Sequence, residues 1–296
     1  MSDEVTPGTA PAHFDSWFDT GALDTRLIGG EQPLPCYKQF LLQGRQLLQE
    51  KFDSGTRAPV LLQARSWLVD QVLQRVWQQI MSAQPSAAAL VAVGGYGRSE
   101  LMPGSDIDLL LLLPETGNAA LNTSLEQLLM FLWDIGLEVG HSVRSIDDCI
   151  EQSLADVTVI TNLMESRLLA GNDDLYLRMQ EAIGPDRIWN SRDFFESKSG
   201  EQRRSHHKYH DTAYKLEPNV KESPGGLRDI QVIAWVANRH FGTGPLEELV
   251  EHGFLTQEEY DALVEGRNFL WEVRFALHSP VSYTHLRAHE TLGSIS

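Results

Sequence analysis

Residues 91–113 read Val-Ala-Val-Gly-Gly-Tyr-Gly-Arg-Ser-Glu-Leu-Met-Pro-Gly-Ser-Asp-Ile-Asp-Leu-Leu-Leu-Leu-Leu, and no other stretch restricts the folding of this chain as much. An apolar strand runs into Gly94-Gly95, ten residues follow, and Asp106-Ile107-Asp108 opens a second apolar strand, Leu109 to Leu113. Side chains alternate across a strand, so Asp106 and Asp108 are expected on one face. Two neighbouring carboxylates repel, and each resists ionisation unless a cation lies between them. Mg²⁺ suits that arrangement, with Mn²⁺ as the alternative. It takes few protein carboxylates and fills its other positions with water and substrate phosphates. A Gly-Gly turn lets backbone approach a phosphate closely. Alone, a Ser-Asp-x-Asp is ordinary turn chemistry, with Ser105 and Asp106 bonding nearby backbone. Strand, Gly-Gly, short connection, Asp-x-Asp and strand in that order predict a metal-assisted nucleotidyl-transfer site. A Rossmann-type reading does not fit: Gly95-x-Gly97 lacks the third glycine, and no helix pattern follows directly.

Charge narrows the partners. The chain carries 24 basic and 41 acidic residues, a net charge of −17. Non-specific binding to nucleic acid needs a positive footprint, so a protein or small-molecule partner is expected instead. Cys36 and Cys149 are the only cysteines, which argues against a disulfide framework or a cysteine zinc site. A reducing cytoplasm is the expected home. No apolar run reaches the length of a membrane span, and the acidic, polar start does not resemble a signal peptide.

Along the chain, residues 1–33 are punctuated by Pro, Gly and Asp and are expected to be loosely ordered. Residues 34–86 form a helical segment, with amphipathic patterns over Cys36–Asp53 and Ala58–Met81. Residues 87–190 hold the transfer core: the strand pair, a helix over Leu125–Ile135 capped by Ser124, a strand over Leu137–Arg144, and helices over Asp147–Leu154, Asp156–Ala170 and Asp174–Ile183. Residues 191–278 read as a second helical region, with patterns over Arg192–Ala213, Leu227–Phe241, Pro245–His252 and Thr256–His278. Within it, Gly225-Gly226 precedes a helix start flanked by Lys221 and Arg228. That is an anion-receptive edge, or else a Gly-rich linker with solvated charges. His206 and His210 share a helix face but lack the accompanying carboxylate base of a zincin, so a solvated face is expected. Residues 279–296 break the texture and read as an atypical tail, where His285 and His289 are four apart without supporting ligands.

Three blocks carry a family resemblance: Gly94-Gly-Tyr-Gly-Arg98 with Ser105-Asp-Ile-Asp-Leu109, Gly136-Leu-Glu-Val-Gly-His-Ser-Val-Arg144, and Glu217-Pro-Asn-Val-Lys-Glu-Ser-Pro-Gly-Gly-Leu-Arg-Asp-Ile230. The first resembles the DNA polymerase beta-type nucleotidyltransferase superfamily. Together and in this order they resemble the bacterial bifunctional uridylyltransferase/uridylyl-removing enzymes of nitrogen signalling, over about residues 36–278. The resemblance implies an α+β fold, with a small mixed sheet and helices at the core and helical regions before and after it. It implies transfer of UMP from UTP to a tyrosine of the PII signalling protein. The family's HD-type hydrolase and ACT sensor domains have no counterpart motif here, so uridylyl removal and glutamine sensing are not expected of this chain.

Under that resemblance Asp106 and Asp108 are the expected metal ligands. Gly94, Gly95 and Ser105 are expected around the triphosphate. Arg98 is a candidate phosphate clamp, since guanidinium matches phosphate oxygens in pairs; a surface salt bridge is the other reading. Glu138, between apolar neighbours, is the candidate third carboxylate, with plain solvent exposure as its alternative. His141 reads as a strand histidine rather than a base. Lys221 and Arg228 are expected to close the nucleotide pocket, and Asp229 to orient Arg228 or cap its helix. Adenylyl transfer to glutamine synthetase, by an enzyme of the same fold, is the nearest alternative. A fragment that binds nucleotide or PII without turnover is the third.

Overall fold

Apolar periodicity lays down the first long helices of the computed structural model, which describes residues 14–114, 119–208, 219–242 and 246–278. The chain divides into two compact units, Met1–Gln152 with Thr158–Ile183, and Ser153–Val157 with Gly184–Ser296.

In the first unit, α1 (Thr20–Ile28) precedes α2 (Pro33–Asp53) and α3 (Ala58–Ile80). Proline stands in the first turn of both α2 and α3, where its missing N–H costs nothing. The α3 stripe of Leu61, Leu68, Val72, Leu73, Val76 and Trp77 is buried. Gly44 of α2 leaves the space that Leu68 of α3 fills.

Residues 14–32 correct the expectation of loose order. Phe14–Ser16 is a 3-10 turn and α1 follows, capped by the Asp19 side chain, which accepts from the Ala22 N–H at 2.8 Å. Phe14, Phe18 and Leu23 are buried, Phe18 stacks on Trp67 at 5.7 Å, and Arg75 pairs with Asp24 at 2.7 Å. Tertiary packing orders a segment too short for its own periodicity to speak. Residues 1–13 and the tail at 279–296 lie outside the described residues.

The sheet has the order β3-β2-β1-β4, built from β1 (Ala89–Ala92), β2 (Ile107–Leu113), β3 (Val139–Ser145) and β4 (Arg167–Gly171). β1 pairs antiparallel with β2 and β4, whereas β2 and β3 run parallel, with Asp108 opposite Gly140. The four-residue helical turn α4 (Gly94–Gly97) lies between β1 and β2. The crossover to the parallel strand is α5 (Ala119–Asp134), which buries Leu121, Leu125, Leu128, Leu129 and Leu132. This is the expected α+β architecture, a small mixed sheet with flanking helices.

Two expectations shift here. α5 begins before Ser124, which lies inside the helix and donates to the Ala120 carbonyl at 3.3 Å. The helix expected over Asp156–Ala170 ends as α7 (Val157–Met164), and its last residues form β4. A short apolar run does not distinguish helix from strand, and pairing with β1 decides. α6 (Ile146–Ala155) precedes α7, and α8 (Asp173–Ala182) is capped by Asn172, which accepts from the Leu175 N–H at 2.9 Å.

The second unit holds α9 (Ser191–Lys208), α10 (Leu227–Phe241), the single turn α11 (Glu248–Glu251) and α12 (Gln257–Leu277). Phe194, Trp235, Trp271 and Phe275 are its large buried side chains. Thr256 and Glu259 form a reciprocal capping box at the start of α12. The expected helix over Pro245–His252 shortens to α11, and the expected continuation of α9 over 209–213 lies outside the described residues. Among the described residues no helix is long and apolar enough to cross a membrane.

Candidate active site

β1 delivers the chain into α4, and hydrogen bonds hold that turn against β2. The Val93 N–H donates to the Asp108 carbonyl at 3.1 Å, Gly97 to Val93 at 3.1 Å and Glu100 to Gly95 at 2.8 Å. Gly94 has φ +59°, a left-handed conformation that favours glycine. The first N–H groups of any helical turn have no acceptor within the turn, so this one offers donors at its opening.

Ile107 is buried, while Asp106 before it and Asp108 after it are exposed, as alternation requires. A side chain at Gly140 would place its Cβ 2.8 Å from Asp108 Oδ1, so the glycine gives that carboxylate its room. A Cβ at Gly94 would stand 3.8 Å from Asp108 Oδ2 and 3.5 Å from Asn162 Oδ1. The Gly94 turn, Asp108 and Asn162 of α7 therefore meet at one place. Gly140 and Asn162 were missed at the level of sequence. A glycine inside a strand signals close approach and was a usable clue. An asparagine within an apolar helical run gives none.

Ser105 sits in the turn ahead of Asp106, its N–H donating to Met102 at 3.2 Å. Glu138 is exposed just before β3, and its carbonyl accepts from the Ile107 N–H at 2.8 Å. Alternation puts it on the Gly140 face, the face of Asp108. Even so, no group of three His, Cys, Asp or Glu side chains gathers to hold a metal among the described residues. The structure brings Glu138 to the right face without completing a three-carboxylate cluster. On its other side Glu138 acts on Arg65 of α3, whose pKa falls to about 10 because it is buried and Arg45 is near, with Glu138 opposing the drop.

Arg98 is ion-paired on two sides. Its Nε meets Glu100 Oε2 at 2.8 Å and its Nη1 meets Glu165 Oε2 at 2.5 Å. Burial would lower its pKa, but the two facing carboxylates outweigh burial and raise it, so the charge is fixed. Its Nη2 lies 3.7 Å from where a Gly95 Cβ would stand, which leaves the guanidinium edge beside the turn. His141 is exposed on β3 with its ring 5.9 Å from Trp133, consistent with a strand histidine.

The second glycine pair is built differently. In the second unit the Gly225 N–H donates to Asp229 Oδ2 at 2.8 Å, and Gln202 and His206 reach Asp229 Oδ1 at 2.7 and 2.8 Å. Asp229 thus ties its loop to α9 rather than orienting Arg228. Arg228 donates to Glu222 and Gln231, both at 3.0 Å, with its guanidinium carbon 5.2 Å from the Trp235 ring centroid. Lys221 Nζ lies 3.8 Å from Glu222 Oε1. His206 is engaged by Asp229, and His210 lies outside the described residues.

A GlnD PII-uridylyltransferase family model matches residues 193–287, and a nucleotidyltransferase model (DUF294) matches residues 43–141. A bifunctional uridylyltransferase/uridylyl-removing enzyme of Pseudomonas fluorescens is 50% identical over 261 residues, 88% of this chain and 29% of the relative. One from Nitrosococcus oceani is 48% identical over 269 residues, 91% of this chain and 29% of the relative. One from Ectopseudomonas mendocina is 48% identical over 261 residues, with the same shares as the first. The chain therefore spans about 29% of the length of these curated relatives. The resemblance carried by the three sequence blocks is borne out.

Proposed function

From its similarity, along 88% of its length, to bacterial bifunctional uridylyltransferase/uridylyl-removing enzymes, we propose that this chain transfers UMP from UTP to a tyrosine of a PII signalling protein. The meeting of Asp108 with the Gly94 turn carries the proposal. The acceptor oxygen attacks the α-phosphorus, the bond to the bridging oxygen breaks, pyrophosphate leaves, and the hydroxyl proton passes to solvent.

Asp106 and Asp108 would hold Mg²⁺ or Mn²⁺. The fit is supported by two exposed carboxylates on one face and by the space Gly140 leaves beside Asp108. Such an ion supplies Lewis-acid stabilisation of phosphate charge and acidifies the acceptor hydroxyl. With two carboxylates, the remaining ligands are water and phosphate oxygens. The N–H groups of Gly94 and Gly95 would bind the triphosphate, with Ser105 beside them. Arg98 would act first by fixing the turn through Glu100 and Glu165, and would reach phosphate by Nη2. Glu138 would shape the charge of the acidic face from β3. Lys221 and Arg228 would meet phosphate oxygens, Arg228 from a fork already oriented by Glu222 and Trp235. The reaction needs neither nucleic acid nor membrane, and belongs in the cytoplasm with its nucleotide.

Titration with UTP, ATP and uridine in Mg²⁺ tests this reading. UTP is expected to bind at least about tenfold more tightly than ATP, roughly 1.4 kcal/mol. Equal or tighter ATP binding favours adenylyl transfer instead. Lys221→Ala and Arg228→Ala are each expected to weaken UTP by about tenfold and uridine by less than about twofold, since only UTP carries the charge they meet. Equal loss for both ligands assigns these residues to the fold.

A further inference from the structure

Tyr96 is the only residue of the Gly-Gly-Tyr-Gly turn with a side chain, and that side chain faces away from solvent, at 1% exposure. Its hydroxyl donates to Asp70 Oδ1 of α3 at 2.5 Å. Arg167, the first residue of β4, holds the same carboxylate with Nη1 to Oδ2 at 2.7 Å and Nη2 to Oδ1 at 3.1 Å. Nη2 also donates to the Tyr96 carbonyl at 3.4 Å, and the guanidinium carbon stands 5.5 Å from the tyrosine ring centroid. One arginine thus grips Tyr96 at its backbone, its ring and, through Asp70, its hydroxyl. Burial, then the Asp70 carboxylate, raises the Tyr96 pKa well above its ordinary value, so the hydroxyl stays a donor.

The Asp70–Arg167 pair is half-buried; ion pairs contribute little net stability compared with apolar packing, and geometric specificity is their better attested use. A second observation shows a turn under constraint. Ser99, which donates to the Tyr96 carbonyl at 3.0 Å, has φ +61°, a left-handed conformation that a non-glycine residue keeps only when its surroundings over-determine it. Gly94 and Gly95 immediately precede Tyr96. Fixing Tyr96 at three points therefore fixes where their N–H groups aim.

We infer that Asp70, Tyr96 and Arg167 are positioning residues that aim the Gly94–Gly95 backbone at the nucleotide triphosphate, so that a helix of the N-terminal segment sets nucleotide affinity without touching nucleotide. This rests on the transferase reading above. A backbone shifted by a fraction of an ångström loses hydrogen bonds to phosphate while the acceptor protein, held elsewhere, is unaffected.

The test combines steady-state kinetics with amide hydrogen exchange on the full chain. Tyr96→Phe, which removes one hydroxyl, and Asp70→Ala are expected to raise KM for UTP by about tenfold and to move KM for the acceptor protein by less than about twofold. Asp70→Asn, which keeps an acceptor for the tyrosine, is expected between Asp70→Ala and the unaltered chain. Exchange over residues 94–99 should quicken while that over Leu109–Leu113 stays unchanged. A drop in thermal midpoint with KM for UTP unmoved would mark the cluster as merely structural and overturn the inference, as would unchanged exchange at 94–99. If the unaltered chain transfers nothing, the transferase reading fails by itself. The clamp is then judged by UTP binding together with exchange: weaker UTP binding by Tyr96→Phe with quickening at 94–99 sustains it, and unchanged UTP binding overturns it.

Discussion

Asp108→Asn is expected to lower transfer by about a thousandfold, roughly 4 kcal/mol of transition-state stabilisation, while the fold survives. Asp108 is exposed, so its carboxylate is reached by water and an amide can be solvated in its place. What changes is its hold on a cation, because an amide keeps one neutral oxygen and loses the charge. Its carboxylate oxygens also lie beside the Gly94 turn and over Gly140. Asp106→Asn is expected to act similarly, since it shares the face. Glu138→Gln serves as the contrast. It lies before β3, outside the Asp106–Asp108 pair, and acts on the charge of Arg65, so its loss should cost less than about tenfold. Rates at saturating Mg²⁺, with circular dichroism to confirm folding, decide the matter. Near-normal transfer by either Asp variant removes the metal-ligand assignment. A thousandfold loss in Glu138→Gln promotes that residue to a ligand.

Gly97→Ala is expected to be the most damaging glycine-to-alanine substitution among the described residues. An added Cβ would overlap the Glu165 carbonyl oxygen, and would stand 2.9 Å from that carbonyl carbon and 3.0 Å from the Ala92 carbonyl oxygen. Every one of these atoms is backbone, so no side-chain rotation relieves the crowding. β1 on one side and the α7–β4 junction on the other must move apart. A loss of about 3 kcal/mol or more follows, a fall of roughly 10 °C in thermal midpoint. Activity should fall further than stability accounts for, because Glu165 also holds Arg98 against the turn. Gly266→Ala is the control. Nothing lies within 4 Å of its missing side chain, and alanine suits a helix interior better than glycine. A Gly97→Ala protein as stable as the unaltered chain would show that the turn and β4 are less tightly joined than described.

The stretch over residues 91–113 was legible because several signals agreed. Asp106 and Asp108 alternate about a buried Ile107, the Gly-Gly turn needs a positive φ at Gly94, β1 is apolar throughout and β2 is apolar from Leu109 to Leu113. The long helices α2, α3 and α10 were legible from their periodicity. What was hidden depends on tertiary pairing. β4 reads as helix until β1 selects it as a strand partner. α1 and the preceding turn read as loop because their order comes from Trp67 and Arg75 on α3, far along the chain. The partners of Arg98 could not be chosen from sequence, since Glu165 is 67 residues away. Asp70 gave no signal either. On an amphipathic helix an isolated Asp reads as solvated surface, and only the structure joins it to Tyr96 and Arg167. Asp229 was expected to orient Arg228 or cap its helix; it accepts from the Gly225 N–H just ahead of that helix, and the contacts from His206 and Gln202 of α9 were the part not legible.

UMP transfer itself can be measured with UTP labelled at the α-phosphate, this chain in excess, Mg²⁺ and a PII signalling protein, followed through a single turnover. Label is expected on PII with release of pyrophosphate, to be lost when the acceptor tyrosine is changed to phenylalanine or when Mg²⁺ is chelated, and not replaced by label from ATP. Label that stays in UTP, or that reaches PII equally well from ATP or without a divalent cation, would contradict a metal-dependent uridylyl transfer centred on Asp106 and Asp108.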